Sequence, residues 1–472
     1  MTTNWRYILI VPLVLFAIII TGKFVTTEPF YLIAALMTVI AAIATFKNPS
    51  NGALILVYTM LLSPEIAIGK IPGRELSIRV DDLIIIAVFV AWLAHLAVDK
   101  ERNVFVKTPF DKLLIFLTVL YVTSTSLGIL FGYVTPLKGF FFTLKYIEYF
   151  LIFWIVANTT TDKATIQKYL WAGFITFVIV TIYAYSLFTV TDRVYAPFDS
   201  QAGGEPASLG GYFIIIFALL FSFMLHFEKG YQRLLCGIAI ILLLPPFVKT
   251  LSRASYFAFL PMVLTVLFLT KQRRIQFALA LLAGAALFPL LFPELYTSMV
   301  DRVQYTFTGS HLPGYRDVVV GGTKISDQSA LERILSWERT INVYFKRNFM
   351  TMLIGNGVTG IRFTEGQFFV VIGEIGILGV IAFYWLQLKI ILVSYKLYNI
   401  ASDVVSKSLP LAMIAAIAGL TFHAITTNTY IIVRIMEPFW FLAAMVAVLY
   451  ELEITKIVSD KKKPGLAPAG SL

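Results

Sequence analysis

The chain has 472 residues, of which 58% are hydrophobic and 14% are charged, and its mean hydropathy is +0.82. Soluble globular proteins carry roughly 25% charged residues, so this composition excludes a soluble fold for the chain as a whole. The net charge of +11 indicates basic residues that anchor loops on the cytoplasmic side of a membrane, and it does not require a nucleic acid partner. The single cysteine, Cys236, excludes an intrachain disulfide and a cysteine-based metal cluster.

Apolar runs long enough to cross a bilayer recur from one end of the sequence to the other. They predict an all-α, polytopic membrane protein with about 14 spans, forming a single membrane domain over residues 1–472. The least regular spans are the third, which contains Pro64 and Glu65, and the last, which begins with Glu437 and Pro438. The predicted spans are 7–22, 31–46, 52–68, 82–98, 113–133, 139–157, 169–190, 208–227, 232–248, 254–270, 275–293, 367–395, 408–427 and 435–451.

Lysine and arginine are concentrated in alternate short loops, which predicts that those loops are cytoplasmic. Both termini then face the cytoplasm, and residues 294–366 form a long periplasmic loop containing an amphipathic helix. Residues 457–472 are predicted to be a disordered cytoplasmic tail. The chain is therefore expected to be a multi-pass protein of a bacterial inner membrane.

Some cations lie on the predicted outer side against this bias. Lys249 and Arg253 flank a tight turn between two spans, and Arg193 precedes a glycine-rich segment that leads into a span. Arginine binds phosphate through two parallel hydrogen bonds, so cations in these places suggest an anionic ligand. The alternative is that these side chains reach lipid phosphates at the membrane surface.

The long outer loop contains a predicted helix that begins with a capping box at 329–332 and extends to about Arg347. Arg333 and Arg347 share one face of this helix, and Arg339 shares another face with Lys346. The alternative for this segment is an amphipathic helix resting on the membrane surface, with its basic residues at the headgroups.

Two further charged pairs stand out, although neither predicts a catalytic site. Lys145 and Glu148 lie one turn apart inside a span and are predicted to form an internal ion pair. Asp81 and Asp82 precede a span, where such a pair is more typical of a helix cap than of a divalent cation site. With no Walker loop and no histidine-based motif in the sequence, no metal site and no cofactor are predicted.

Four segments between about residues 190 and 400 share an order and a predicted outer location. They are Arg193 and Gly204 with ten residues between them, followed by LGGY at 209–212; SRAS at 252–255; SALERILSW at 329–337 with LIGNG at 353–357; and QFFVVIGEIGILG at 367–379.

This ordered set resembles the O-antigen ligase/polymerase family of bacterial membrane proteins. The resemblance implies a GT-C-type membrane fold and metal-independent glycosyl transfer on the periplasmic side from a glycan on undecaprenyl diphosphate. It also implies that arginines hold the diphosphate, a role assigned to Arg193, Arg253, Arg333 and Arg339, with Lys249 beside them. Arg253 is also expected to take part in catalysis, because preorganised cations stabilise a leaving diphosphate.

The sequence departs from the family's ligases at the end of the long loop. Ligases carry a histidine there as the base, whereas this chain has FTEGQ at 363–367. Glu365 is the predicted general base, since a carboxylate beside an acceptor hydroxyl is chemically adequate. Its alternative role is to cap the following helix, and His423 is a less favoured substitute for the base.

The missing histidine favours a polymerase that joins undecaprenyl-diphosphate-linked repeat units into a surface polysaccharide and releases undecaprenyl diphosphate. One alternative is an O-antigen ligase-type transfer of the lipid-linked glycan to a lipid or protein acceptor. Another is a flippase of lipid-linked sugars. The expected partners are the lipid-linked glycan donor, a glycan or lipid acceptor, membrane lipids, a flippase and a chain-length regulator.

Overall fold

The computed structural model describes residues 29–71, 74–98, 105–199, 205–308, 318–320, 323–325 and 328–461. Within these residues the protein is almost entirely helical. The α-helices are α1 Pro29–Lys47, α2 Pro49–Leu62, α3 Val80–Val98, α4 Asp111–Leu130, α5 Pro136–Thr159, α6 Lys163–Ser186, α7 Pro206–His226, α8 Gly230–Lys249, α9 Arg253–Leu269, α10 Arg274–Leu291, α11 Pro293–Thr308, α12 Gln328–Arg339, α13 Phe349–Ile354, α14 Gln367–Ile400, α15 Val404–Thr426 and α16 Val433–Lys461.

The predicted all-α class agrees with this architecture, and the described residues also include two short antiparallel hairpins. Strand β1, Glu65–Ile71, pairs with β2, Arg74–Arg79, and places Glu65 opposite Arg79. Strand β3, Val318–Val320, pairs with β4, Thr323–Ile325, inside the long loop. The first hairpin occupies the end of the span predicted at 52–68, whose helix stops at Leu62, two residues before Pro64.

Nine of the described helices are long and apolar enough to cross a membrane: α3, α4, α5, α6, α7, α8, α10, α14 and α15. Three shorter apolar helices, Leu32–Lys47, Pro49–Leu62 and Arg253–Leu269, match other predicted spans. The predicted first span, 7–22, lies outside the described residues. The chain is thus a polytopic helical membrane protein, and the count of about 14 spans stays a prediction.

Apolar side chains cover much of the outside of this bundle. On α10, Ile275, Leu279, Leu282 and Leu290 are all exposed. Monomeric soluble proteins rarely expose contiguous apolar surface on this scale, whereas lipid-facing helices do. The exposed apolar helices therefore agree with a membrane location.

The core is organised around α7, which packs against α8, α9, α15 and α16. Three phenylalanines interlock at the centre of this group, with ring centroids 5.1 to 5.5 Å apart: Phe217, Phe247 and Phe259. Helix α14 packs against α15, α4 and α13, while α1, α2 and α3 form a neighbouring group. The loop charges predict which end of each helix lies on the outer side of the membrane. The predicted outer ends of α7, α9, α15 and α16 lie at one face of the bundle, which we call the predicted outer face.

The long loop and the last helix differ from prediction in detail. The helix expected to reach Arg347 is α-helical only to Arg339 and continues as a π-helical turn, Thr340–Tyr344, and a 3-10 turn, Phe345–Arg347. Helix α16 continues to Lys461, so residues 457–461 of the predicted tail are helical. The rest of the tail, 462–472, lies outside the described residues.

Candidate functional site

The turn between α8 and α9 has a defined backbone conformation. Leu251 adopts a left-handed conformation with a φ of +47°. The Thr250 hydroxyl donates to the Phe247 carbonyl at 2.7 Å, and Ser252 caps α9 by accepting a hydrogen bond from Ser255 N at 3.4 Å. These local hydrogen bonds hold the 250–252 carbonyls and the first residue of α9, Arg253, in a fixed arrangement.

Two arginines from distant parts of the chain converge on this turn. Arg193 donates from Nε to the Thr250 carbonyl at 3.0 Å and from Nη2 to the Leu251 carbonyl at 3.3 Å. Arg302, on α11, donates from Nε to the same Leu251 carbonyl at 3.3 Å. We call residues 249–253 together with Arg193 and Arg302 the arginine turn.

The positive charges in the arginine turn act on one another. Burial lowers the pKa of Arg193, and the charges of Arg302 and Arg253 lower it further. The backbone carbonyls that accept hydrogen bonds from Arg193 and Arg302 bring no net negative charge to balance these two cations. An anion bound at the turn would relieve the repulsion, so the arrangement is suited to a phosphate-containing ligand.

Arg193, Lys249 and Arg253 were predicted from the sequence to bind one anionic ligand. The structure brings the backbone of all three together, since Val194 N also donates to the Lys249 carbonyl at 3.2 Å. Arg302 was not assigned a role. Long outer loops cross the membrane regardless of their charge, so a cation in residues 294–366 gives no topological signal. Gly204, the other half of the Arg193 motif, lies outside the described residues.

Glu365, the predicted base, forms a second group with residues of α12. It makes an ion pair with Arg333, and its carbonyl accepts a hydrogen bond from Trp337 Nε1 at 2.5 Å. The Trp337 ring stacks on Phe369 with centroids 4.8 Å apart. Glu365 does not cap α14, which begins after Gly366 and has no side-chain cap.

Arg333 and Arg339 therefore differ in their surroundings. Arg333 already has a carboxylate partner, so a bound phosphate would have to compete with Glu365 for it. Arg339 ends α12 and makes no side-chain hydrogen bond or ion pair among the described residues. The structure thus pairs Arg333 with Glu365, and it gives no such link for Arg339.

The outer end of α15 lies between the two groups. His423 Nε2 is 3.2 Å from Ser255 Oγ, and its Nδ1 is 2.7 Å from Thr429 Oγ1. Asn428 then donates to the Thr364 carbonyl at 2.7 Å, one residue before Glu365. His423 is 0% exposed, so its imidazole is closed to an acceptor and acts as a packed link between the two groups.

Close helix packing at this face depends on Gly210, near the start of α7. A Cβ at this position would lie 2.1 Å from Ser255 Oγ. No larger residue fits without moving the first turn of α9, which positions Arg253.

A separate set of ionic residues is buried at the start of α3 and α16. Lys145 pairs with Asp82 and also with Glu148 at 3.1 Å, which confirms the predicted internal ion pair. Asp82 Oδ2 also accepts a hydrogen bond from Arg79 N at 3.0 Å, so the predicted capping role is present as well. We call the full set the buried charge cluster; its members are Arg79, Asp81, Asp82, Lys145, Glu148, Arg434 and Glu437.

No protein-family model matches this chain, and no curated protein matches it either. The assignment of its site therefore depends on the geometry above and on the resemblance of its motifs.

Proposed function

We propose that the chain is a membrane glycosyltransferase that polymerises undecaprenyl-diphosphate-linked oligosaccharide repeat units and releases undecaprenyl diphosphate. The observation that supports this most is the arginine turn, where Arg193 and Arg302 donate to the same Leu251 carbonyl and the charge of Arg253 acts on Arg193. The diphosphate of a lipid-linked sugar would bring negative charge to this group of cations. The proposal includes a GT-C-type architecture, an inner-membrane location and a site that faces the periplasm.

In the proposed reaction an acceptor hydroxyl oxygen attacks the anomeric carbon of the donor glycan. The bond from that carbon to the diphosphate oxygen breaks, and the electron pair leaves with undecaprenyl diphosphate. Negative charge grows on the diphosphate as the bond breaks, so fixed guanidinium groups stabilise the transition state more than the ground state. Arg193, Arg253 and Arg302 have this role, with Lys249 beside them.

The acceptor proton passes to Glu365 in this mechanism. Its ion pair with Arg333 and the hydrogen bond from Trp337 to its carbonyl fix its position next to α14. A positioned carboxylate typically contributes about 10²–10⁴-fold to the rate of such a proton transfer. Arg333 orients Glu365 in the free enzyme and becomes available to the donor phosphate when Glu365 is protonated.

The test uses purified protein in nanodiscs with an undecaprenyl-diphosphate-linked repeat unit, in EDTA, with products followed as a ladder on a gel. Arg253→Ala is compared with Arg274→Ala, because Arg274 is the first residue of α10 as Arg253 is of α9, and it lies on the predicted cytoplasmic side. We expect the wild type and Arg274→Ala to make lengthening chains and Arg253→Ala to make none.

Other outcomes of the same experiment point to the other functions. Transfer that occurs only after a different lipid or protein acceptor is added would identify a ligase. Equal ladders from both variants would remove the arginine turn from the mechanism.

A flippase of lipid-linked sugars is the second candidate, and one observation favours it. Helix α14 is interrupted at Gly376, which has a φ of +68° and a ψ of −166°, and broken helices are common in transporters. Movement of intact lipid-linked glycan across a liposome bilayer, with no ladder formed, would establish this function in place of the polymerase.

A further inference from the structure

Glu437, in the first turns of α16, is the most poorly satisfied acidic residue of the buried charge cluster. Its side chain is 0% exposed, and neither carboxylate oxygen accepts a hydrogen bond within the described part of the chain. Burying a carboxylate without a partner costs several kcal/mol, and such groups in native proteins usually indicate a missing water or ion.

Two other carboxylates lie close to Glu437. One oxygen each from Asp81, Asp82 and Glu437 lie within 4.8 Å of one another. Hard cations bind carboxylate oxygens at about 2.3–2.6 Å, so oxygens on opposite sides of one ion are separated by up to roughly twice that distance. The spacing therefore fits three ligands of a single cation.

None of the basic residues of the cluster donates a hydrogen bond to Glu437 among the described residues, although the charges of Arg79 and Lys145 act on it. Arg79 pairs with Asp81 at 2.8 Å and donates to the Met60 carbonyl at 3.1 Å. Lys145 lies between Asp82 and Glu148.

Arg434 is one turn before Glu437, yet it donates from Nη1 to the Leu61 carbonyl at 2.9 Å. Its Nη2 has no hydrogen-bond partner among the described residues. The acidic groups that act on Arg434 are Asp199, Asp81 and Glu65.

The charge balance of the cluster selects the kind of ion. Four carboxylates, those of Asp81, Asp82, Glu148 and Glu437, face three cations, those of Arg79, Lys145 and Arg434. With all four carboxylates ionised, one monovalent cation balances this set, whereas a divalent ion would leave an excess positive charge within the cluster, close to Arg79 and Lys145.

We propose that Asp81, Asp82 and Glu437 bind one sodium ion, which links the start of α16 to the start of α3. The site is separate from the arginine turn, and the proposal goes beyond glycosyl transfer and does not depend on it. Bound sodium would fix the position of α16, which packs against α5, α14 and α7.

The first experiment measures equilibrium binding of ²²Na⁺ to purified protein in detergent. Glu437→Gln is compared with Glu451→Gln, the same change on the same helix at a residue outside the cluster. We expect saturable binding of one sodium ion per chain in the wild type and in Glu451→Gln, and an affinity at least about tenfold weaker in Glu437→Gln. No saturable binding in the wild type, or equal binding in both variants, would overturn the proposal.

A second measurement needs only the wild-type protein, so it holds even where Glu437→Gln does not fold. A ligand bound to the folded state alone raises stability as its concentration increases. We expect the unfolding temperature to rise when sodium chloride replaces choline chloride at constant ionic strength. An unchanged unfolding temperature, or a rise with calcium and none with sodium, would exclude a sodium site.

Discussion

A guanidinium that donates to backbone carbonyls keeps its full positive charge, because a carbonyl brings a dipole and no net charge. Arg193 and Arg302 both donate to Leu251 in this way. The hydrogen bonds fix the side chains in advance, so little conformational entropy is lost when an anion binds. This is the preorganisation that a leaving diphosphate requires.

Arg302 is expected to contribute to donor binding in the same way as Arg193. Arg302→Ala should weaken use of the lipid-linked donor by about 10- to 100-fold, since it removes one charge-assisted contact. The measurement is initial rate against donor concentration for Arg302→Ala and for Lys346→Ala, which changes an exposed cation of the same loop. A similar loss in both variants would mean that only the overall charge of the loop matters.

Glu365→Gln separates the proposed catalytic role of Glu365 from its role as the partner of Arg333. A lost base should lower kcat by about 10²–10⁴-fold while the donor still binds. Glu338→Gln, which changes an exposed glutamate on α12, is the matched control and should keep the wild-type rate. A Glu365→Gln protein that is less stable but turns over at the normal rate would assign Glu365 a structural role alone.

The sequence predicts some of these residues and not others, for physical reasons. Arg253 and Lys249 were found because charge in a short outer loop opposes the topological bias. Glu437 lies far along the chain from Asp81 and Asp82, so no local pattern predicts their contact. His423 was considered as a base, and only its burial in the folded chain excludes that role.

Among the elements, the helices were predictable and their interruptions were not. The run 367–395 is mostly apolar and predicts one continuous span, yet α14 bends at Gly376, where the backbone meets the 353–355 segment. The π-helical turn at Thr340–Tyr344 has no sequence signal either. Both depend on contacts between segments that are separate in the sequence.

Gly376→Ala tests whether the bend in α14 needs a glycine. A Cβ there would lie 2.4 Å from the Leu353 carbonyl oxygen, and the φ of +68° is unfavourable for alanine. We expect a loss of about 1–3 kcal/mol or more in stability, measured as a lower unfolding temperature. Gly237→Ala is the control, because its Cβ would meet nothing within 4 Å. Equal effects of the two substitutions would contradict the prediction.

Asp403 caps α15, and protonation of its carboxylate would weaken contacts among three helices. It accepts hydrogen bonds from Lys163 at 2.5 Å and from Ser406 N at 3.0 Å, while Lys163 also binds Glu453 on α16. Burial alone would raise the pKa of Asp403, but the Lys163 ammonium and the Ser406 hydrogen bonds lower it from 3.8 to about 2.

Because the pKa of Asp403 is lower in the folded than in the unfolded protein, its carboxylate stabilises the fold at pH values above the unfolded-state pKa. This stabilisation is lost as the pH falls toward the folded-state pKa. Asp403→Asn keeps a capping oxygen and removes the charge. Its unfolding temperature should be below that of the wild type at neutral pH, and the two should converge as pH falls from about 4 to about 2. A gap that stays constant over this range would show that the charge contributes nothing.

For the whole molecule, the composition indicates a membrane protein, whereas its orientation in the membrane is predicted only by the charges of its loops. Nine described helices can cross a membrane, and exposed apolar side chains such as Leu279 and Leu290 indicate lipid contact. In the proposed function, the arginine turn and the Glu365 group must face the same side of the membrane, because both act on the lipid-linked donor and its acceptor. Their connection through His423 and Asn428 places them at the same end of the helical bundle.

The predicted orientation is tested by cysteine labelling in intact cells. Ser298→Cys is exposed on α11, in the predicted periplasmic loop, and Ser459→Cys is exposed near the end of α16, on the predicted cytoplasmic side. A membrane-impermeant maleimide should label Ser298→Cys in intact cells and Ser459→Cys only after permeabilisation. The native Cys236 is buried and should give little background. The reverse labelling pattern would place the arginine turn in the cytoplasm and exclude a periplasmic transferase, since the diphosphate site would then face the wrong side of the membrane.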